Sequence, residues 1–260
     1  MFITSKDNEL IKEAAKLIQS SKYRREKELF AAEGVRLCAD GILSGAEAEC
    51  FLYTENAARK YPEEFTLISS AAKRSFAVSE SVYNKISDTA NPQGFFCIFA
   101  VLDKNHKSYK INIQGRYAAL ENIQDPSNLG TILRTAEALG VDGVILSGDC
   151  CDVYSPKVIR GSMGAVFRVP IIIEENFTDY IRKITDSGIM TYASTPHEAE
   201  DINNVDFSRG GVMLIGNEGN GLRAETIAAC SKSVRINMRG RAESLNAAAA
   251  AAILMYKLQG

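Results

Sequence analysis

The chain has 260 residues, 46% of them hydrophobic and 24% charged, with 19 glycines against 6 prolines and a formal net charge of −2. That composition belongs to a folded globular protein of one large or two ordinary domains, and it excludes a disordered, collagen-like or disulfide-scaffold chain. The longest apolar run, Ala247 to Tyr256, falls well short of the ~20 residues a membrane span needs, so no membrane partner is expected. The first nine residues carry Lys6, Asp7 and Glu9 without an apolar stretch; no secretory leader is expected in them, and the expected compartment is the cytoplasm.

The six cysteines include no C-x-x-C pair, and the vicinal Cys150 and Cys151 are unsuited to an ordinary disulfide, which favours free thiols. Only His106 and His197 are present, neither spaced from a second ligand in a zinc pattern, so no metal is expected. Charge is patchy rather than uniform. Lys16, Lys22, Arg24, Arg25 and Lys27 face only Glu26 over residues 16–27, and Arg223, Lys232, Arg235, Arg239 and Arg241 face only Glu225 over 220–241. Alone, either cluster reads as solvated surface; near a nucleic acid, either would bind phosphates.

In chain order, Ile11, Ala14, Leu17 and Ile18 recur at helical spacing, and a basic turn leads to a second helix around 33–43. Strands are predicted at 49–53 and 66–69, a helix at 79–86, and a buried strand at 94–101. The polar stretch that follows places a linker at 104–114, between domains at 1–103 and 115–260. Beyond it, strands at 117–123, 141–147, 166–173, 188–194, 211–216 and 233–237 alternate with helices at 128–139, 155–163, 177–187, 222–230 and 244–258. Such alternation predicts an α/β domain with a parallel sheet covered on both faces, whose ligands collect where strands end and helices begin.

Three of those strand-to-helix loops carry chemistry. In the first, Asn122 to Gly140, an Asp125-Pro126 turn opens a helix whose apolar stripe is Ile132, Leu133, Ala136 and Leu139. Arg134 lies on the opposite face, and Asn128 sits with the N-terminal amides, which suit an anion. In the second, an apolar strand runs into Gly216, Asn217, Glu218, Gly219 and Gly221. The spacing is G-x-x-G-x-G and lacks a following G-K-[ST], so neither the dinucleotide nor the P-loop fingerprint fits and a nucleotide-dependent oxidoreductase is disfavoured. In the third, Arg235 to Leu258, Ser244 is placed to cap the last helix, Asn246 in its first turn, and Ala247 to Ala252 let that helix press close to another backbone.

In order and spacing, the three loops together resemble the SpoU-type, TrmH-like branch of the SPOUT RNA methyltransferases. The first motif is matched by Asn128, Gly130, Arg134, Ala136 and Gly140, the second by Gly216, Glu218, Gly219 and Gly221, and the third by Ile236, Met238, Ser244, Leu245 and Asn246. Asn237 departs from the usual proline. The N-terminal part, with KYRR at Lys22 to Arg25, FAAEG at Phe30 to Gly34 and NPQGFF at Asn91 to Phe96, is similar to the smaller, ribosomal-protein-like α/β substrate-binding domain of such enzymes. The resemblance implies a trefoil-knotted C-terminal α/β domain, which general topology rules give no reason to expect. It further implies S-adenosylmethionine as cofactor, contacted by Gly216, Asn217, Ile236, Met238 and Leu245, and methyl transfer to a ribose 2′-hydroxyl of RNA, ribosomal RNA above transfer RNA. Arg134 is the implied catalytic residue; a guanidinium is a poor base, so stabilising the developing alkoxide suits it better. Asn128 and Ser244 would hold the target nucleotide, Glu218 would support Arg134 or the loop, and Asn246 would fix the knot and the substrate. Lys22, Arg24 and Arg25 would grip RNA phosphates, and two copies would pair as a homodimer. The rival from another class is a non-catalytic RNA-binding or assembly factor.

Overall fold

The computed structural model describes residues 2–102, 111–196, 198–242 and 244–260. Both histidines and most of the expected linker, residues 104–110, lie outside them. The chain divides into two compact units, Met1–Leu102 with Tyr154–Phe167, and Asp103–Val153 with Arg168–Gly260. Among the described residues no helix is long and apolar enough to cross a membrane.

In the first unit the elements run β1 (Phe2–Ile3), α1 (Glu9–Gln19), α2 (Ser21–Lys27), β2 (Leu29–Glu33), α3 (Val35–Leu43) and β3 (Ala48–Tyr53). They continue with α4 (Glu55–Lys60), α5 (Pro62–Ala71), β4 (Ser75–Val78), α6 (Glu80–Ile86) and β5 (Phe95–Ala100). The sheet order is β1-β4-β3-β5-β2, with β5 antiparallel to both of its neighbours. Asn8 caps α1 by accepting the Leu10 amide at 3.0 Å, and the Ile11, Ala14 and Leu17 face packs on Val82, Tyr83 and Ile86 of α6 and on Cys50, Leu52 and Ile98 of the sheet.

Two expectations fail here. The segment 66–69 is not a strand but the middle of α5, where Pro62 sets the first helical φ and Glu63 and Glu64 favour the helix N-terminus. The basic turn is itself a helix, α2, capped by Ser20, whose hydroxyl accepts the Tyr23 amide. The short strands β1, β2 and β4 carry no strong periodic signal.

The segment Tyr154–Phe167, expected with the C-terminal domain, clusters with this first unit. It holds a short helix, here α8 (Pro156–Gly161), and a single 3₁₀ turn, Ala165–Phe167. Tyr154 stacks on Phe30 with ring centroids 4.7 Å apart, and its hydroxyl accepts the Leu102 amide at 2.9 Å. Phe167 meets Phe99 edge-on at 5.3 Å.

The second unit is built on β6 (Arg116–Leu120), α7 (Pro126–Ala138), β7 (Gly143–Ser147), β8 (Ile171–Glu174), α9 (Phe177–Asp186) and β9 (Thr191–Ser194). The remaining elements are β10 (Glu200–Asp201), β11 (Gly211–Ile215), α10 (Ala224–Ala228), β12 (Lys232–Arg235) and α11 (Ala247–Leu258). The order β10-β12-β9-β11-β6-β7-β8 is parallel throughout. Strands β6, β7 and β11 are buried on both faces almost end to end, which is why they read as unbroken apolar runs. The expected strand at 166–173 begins only at Ile171, because Pro170 has no amide to donate to a ladder. The last helix packs its Ala247, Ala248, Ala251 and Met255 face inward, against α7 and β11.

Strand order reverses between β6 and β11, which pair side by side although β7, β8, β9 and β10 all come between them in the chain. In open parallel sheets such a reversal leaves a crevice at the carboxyl ends of the strands. The loops that leave β6 and β11, the first and second of the chemical loops, stand side by side there.

Candidate active site

Each loop builds its own frame before it meets the others. After β6, Asp125 caps α7 by accepting the Ser127 amide at 2.8 Å, and Pro126 occupies the first helical position. After β11, Gly216 lies so close to the returning chain that a Cβ there would stand 2.1 Å from the Gly221 carbonyl carbon; only glycine fits. The close approach thus serves the loop's own return. Asn217 closes the loop by accepting the amides of Gly219 and Asn220, both at 3.0 Å, and ties it to the first loop by donating to the Asn122 carbonyl at 2.8 Å.

The three loops are joined by one chain of side-chain hydrogen bonds. Asn246 donates from Nδ2 to Asn128 Oδ1 at 2.9 Å, and Asn128 donates from Nδ2 to Glu218 Oε1 at 3.1 Å. The amide orientations are fixed from both ends: a carboxylate only accepts, and Asn246 Oδ1 is taken by the amides of Ala248 and Ala249. Glu218 also accepts the amides of Gln124 at 3.2 Å and Asp125 at 3.1 Å, so the anion at the start of α7 is the protein's own carboxylate. Partial burial works against that charge, but the bonds from Asn128 and the backbone outweigh it and hold the Glu218 carboxyl below the usual glutamate range.

Beside this junction a cavity opens past the ends of β9 and β12. Ile236, Met238, Ser244 and Leu245 line it, together with Ser194, Thr195 and Pro196 after β9. Four of the five residues matched in the third motif therefore share one cavity, and the fifth, Asn246, fixes the helix beneath it. Gly216 and Asn217 are not in its wall. Sequence reasoning did not single out Ser194–Pro196, although a strand end followed by Thr-Pro, in a fold whose ligands gather at strand ends, was signal enough.

Several side chains are placed otherwise than expected. Ser244 is exposed and does not cap the last helix; Asn246 does, and the helix starts at Ala247. Asn128 is 7% exposed with both ends of its amide engaged, so it holds the loops together and has no free atom for a nucleotide. Glu218 supports the loop, and no bond to Arg134 is formed. Arg134 itself stands exposed on the outer face of α7 and makes no hydrogen bond or ion pair among the described residues. Lys22 is exposed, with a loose ion pair to Glu26 at 3.8 Å, and Arg25 is exposed too. Arg24 is the correction: it is 4% exposed, and its guanidinium turns inward to the Ile18 carbonyl at 3.2 Å and that of Leu17, closing the end of α1. A phosphate cannot reach it. Asn237, in place of the usual proline, accepts from Arg235 Nε at 3.0 Å and donates to Asp201, holding by side-chain bonds a loop that a ring would stiffen.

The nearby thiols offer no nucleophile. Burial pushes Cys150 upward, and burial with neighbouring carboxylates takes Cys151 up to about 12, so both are protonated at neutral pH.

Fold and site together define a class: a parallel α/β unit whose polar junction and cavity are assembled from three separated loops at the carboxyl ends of its strands. Residues 115–256 match the model of the SpoU rRNA Methylase family, and residues 8–97 that of an MRM3-like substrate binding domain. The chain belongs to the SpoU rRNA methylase family. It is 32% identical over 98% of its length to an uncharacterized tRNA/rRNA methyltransferase of Synechocystis, covering 92% of that protein. To the 23S rRNA (guanosine(2553)-2′-O)-methyltransferase RlmP of Bacillus subtilis it is 27% identical, over 99% of both chains. The solved structure of an AdoMet-bound rRNA methyltransferase from Sinorhizobium meliloti superposes with a TM-score of 0.89 at 31% identity, covering 100% of this chain and 97% of that one. An RNA 2′-O ribose methyltransferase structure gives 0.81 at 32% identity, covering 100% and 98%. The fold is that of the SPOUT methyltransferases.

Proposed function

We propose that this chain transfers a methyl group from S-adenosylmethionine to a ribose 2′-hydroxyl of RNA, ribosomal RNA above all, in the cytoplasm. The observation that carries the reading is the Asn246–Asn128–Glu218 chain, which draws all three family motifs to one place beside a cavity. The residues present suit the cofactor. Ile236, Leu245, Val234 and Ala250 give apolar walls for a purine, while main-chain groups after β9 and β12 supply donors and acceptors. At about 150 Å³ the cavity is smaller than the roughly 300–1,000 Å³ of enclosed ligand sites, and the loop of Gly216 and Asn217 is assigned the cofactor contacts that the cavity would not hold.

When bound, the cofactor supplies the methyl group on a cationic sulfur, already a good leaving group. What remains for the protein is to place the hydroxyl and to stabilise the oxygen as it loses its proton. Arg134 is assigned the stabilising role, because its guanidinium, a fork of five donors, has no partner among the described residues, which leaves it free to face an alkoxide and the adjoining phosphate. Ser244, exposed at the cavity rim, is assigned a contact to the target nucleotide, and Lys22 and Arg25 contacts to flanking phosphates. The Asn128, Glu218 and Asn246 chain positions these groups. A second copy of the chain is proposed to cover the exposed apolar stripe Ala249, Ile253 and Tyr256 of α11, the helix that packs beside the one bearing Arg134.

Arg134→Ala should lower methyl transfer by more than about a hundredfold, the size expected for a lost oxyanion donor, with S-adenosylmethionine affinity by calorimetry unchanged. Retained turnover would defeat the assignment. Mapping 2′-O-methyl marks in total RNA with and without the gene identifies the nucleotide.

A further inference from the structure

Glu121, the residue that follows β6, belongs to none of the matched motif positions, yet it is the most deeply buried carboxylate among the described residues of the second unit, 1% exposed. Its amide continues the ladder to the Ile215 carbonyl at 2.9 Å, which sets it directly beside the start of the glycine loop. Its side chain reaches the other end of that loop. Oε2 accepts the Arg223 amide at 2.8 Å, Oε1 accepts the Thr226 hydroxyl at 2.6 Å, and the Arg223 guanidinium lies 3.7 Å from Oε1. The Thr226 hydroxyl, whose hydrogen points to Glu121, accepts in turn from Thr178 at 2.8 Å. Helix α10, whose first turn these groups form, has no cap from its own N-cap side chain; Glu121 serves it from across the sheet.

The same guanidinium pairs with Asp149, which accepts from Ser147 Oγ, and Ser147 Oγ accepts the Asn122 amide at 2.8 Å. The first loop and the exit of the glycine loop are thereby held in one polar ring. Asn217 and Glu218 fasten the entry of the glycine loop to the first loop; Glu121 fastens its exit.

We propose that Glu121 is a positioning residue for methyl transfer: it pins the Arg223–Thr226 end of the glycine loop to β6, so that the backbone from Gly216 to Gly221 is presented to the methyl donor in one conformation. The inference rests on the proposed contact between that loop and S-adenosylmethionine. Removing the carboxylate leaves the exit of the loop tied through the solvent-exposed Arg223–Asp149 pair, free to take several geometries, of which only a fraction bind, so apparent affinity falls by that fraction.

The test uses the full chain. Glu121→Ala should raise the S-adenosylmethionine Kd and KM at least tenfold, leave kcat at saturating cofactor within about threefold and RNA affinity unchanged, and speed hydrogen exchange at Gly219 and Asn220. Glu121→Gln, which keeps an acceptor for the Arg223 amide, should recover most of the affinity. If the alanine variant does not fold, Thr226→Val, which removes one of the bonds at equal size, should raise the same Kd severalfold. Wild-type affinity and wild-type exchange in both Glu121→Ala and Thr226→Val would overturn the inference while the proposed function stood. A wild-type chain that bound no S-adenosylmethionine would overturn both.

Discussion

Asn246 uses the two ends of one amide differently, capping α11 with its oxygen and holding Asn128 with its nitrogen. Serine separates them, since it caps as well as asparagine but is too short to reach Asn128. In Asn246→Ser the far-ultraviolet dichroism should be unchanged, while methyl transfer falls about tenfold because Asn128 is left with an unfilled acceptor, a loss of about 1–3 kcal/mol. Asn246→Ala should lose about 1 kcal/mol of further stability in urea, the value of the cap. Equal stability of the two variants would show that the cap contributes nothing. Glu218 gives a second residue-scale expectation. Because its carboxyl is held below the ordinary value of 4.5, the stability it contributes is fully present above that pH and is lost as pH falls through the lowered value. The gap between wild type and Glu218→Gln in urea melts should therefore be widest near neutrality and close in acid; a gap that widened in acid would contradict the geometry. Glu218 was legible in the sequence through its motif, but its partners were not. Nor was Glu121, since a lone glutamate at a strand end looks like surface until Arg223 and Thr226, about a hundred residues later, arrive to bury it.

At the scale of elements, α2 shows how charge patterning misleads. Lys22, Arg24 and Arg25 look alike in a string, but Ser20 starts a helix there, and the helix sends Arg24 into the protein while its neighbours stay outside. Glutamate at Lys22 and Arg25 should weaken RNA binding and reduce the slope of log affinity against log salt by about 1.5, two phosphate contacts at ~0.7–0.9 each. Arg24→Ala should instead cost about 1.5–3 kcal/mol of stability, the range for hydrogen bonds to a charged group, with the salt slope intact. Filter binding over a salt series reads the first and urea unfolding the second; a slope lowered by Arg24→Ala would put that side chain back on the RNA. Strands β6, β7 and β11 of the second unit were readable because they are sealed on both faces, and α9 because it is strongly striped; β10, two acidic residues long, was not. The short strands of the first unit were not, since two to five residues leave no period to detect, and α5 was misread because only Ile68 is buried along it.

The whole molecule adds what no local pattern holds. A hydrophobic period describes one element at a time, so the order in which β6, β11, β9 and β12 lie side by side, and the cavity that order creates, came into view only through the family likeness and the structure. Association belongs to this scale as well. Tyr256 is 68% and Ile253 39% exposed on a helix whose other faces are packed. Tyr256→Asp should convert a dimer to a monomer in light scattering and reduce methyl transfer with it, whereas a wild-type monomer in solution would remove the proposed pairing.

The placement of Tyr154–Phe167 bears on any attempt to dissect the protein. The polypeptide passes from one unit to the other three times rather than once, because this stretch leaves the second unit, packs its rings on Phe30 and Phe99, and then returns. A fragment begun near residue 110 would carry those rings away from their partners and expose them, and its counterpart ending at Leu102 would lose the aromatic cover over Phe30. Neither half inherits a finished core, and a shuffling event that exchanged only the first hundred residues would have to find a replacement surface for the borrowed aromatics at the same time.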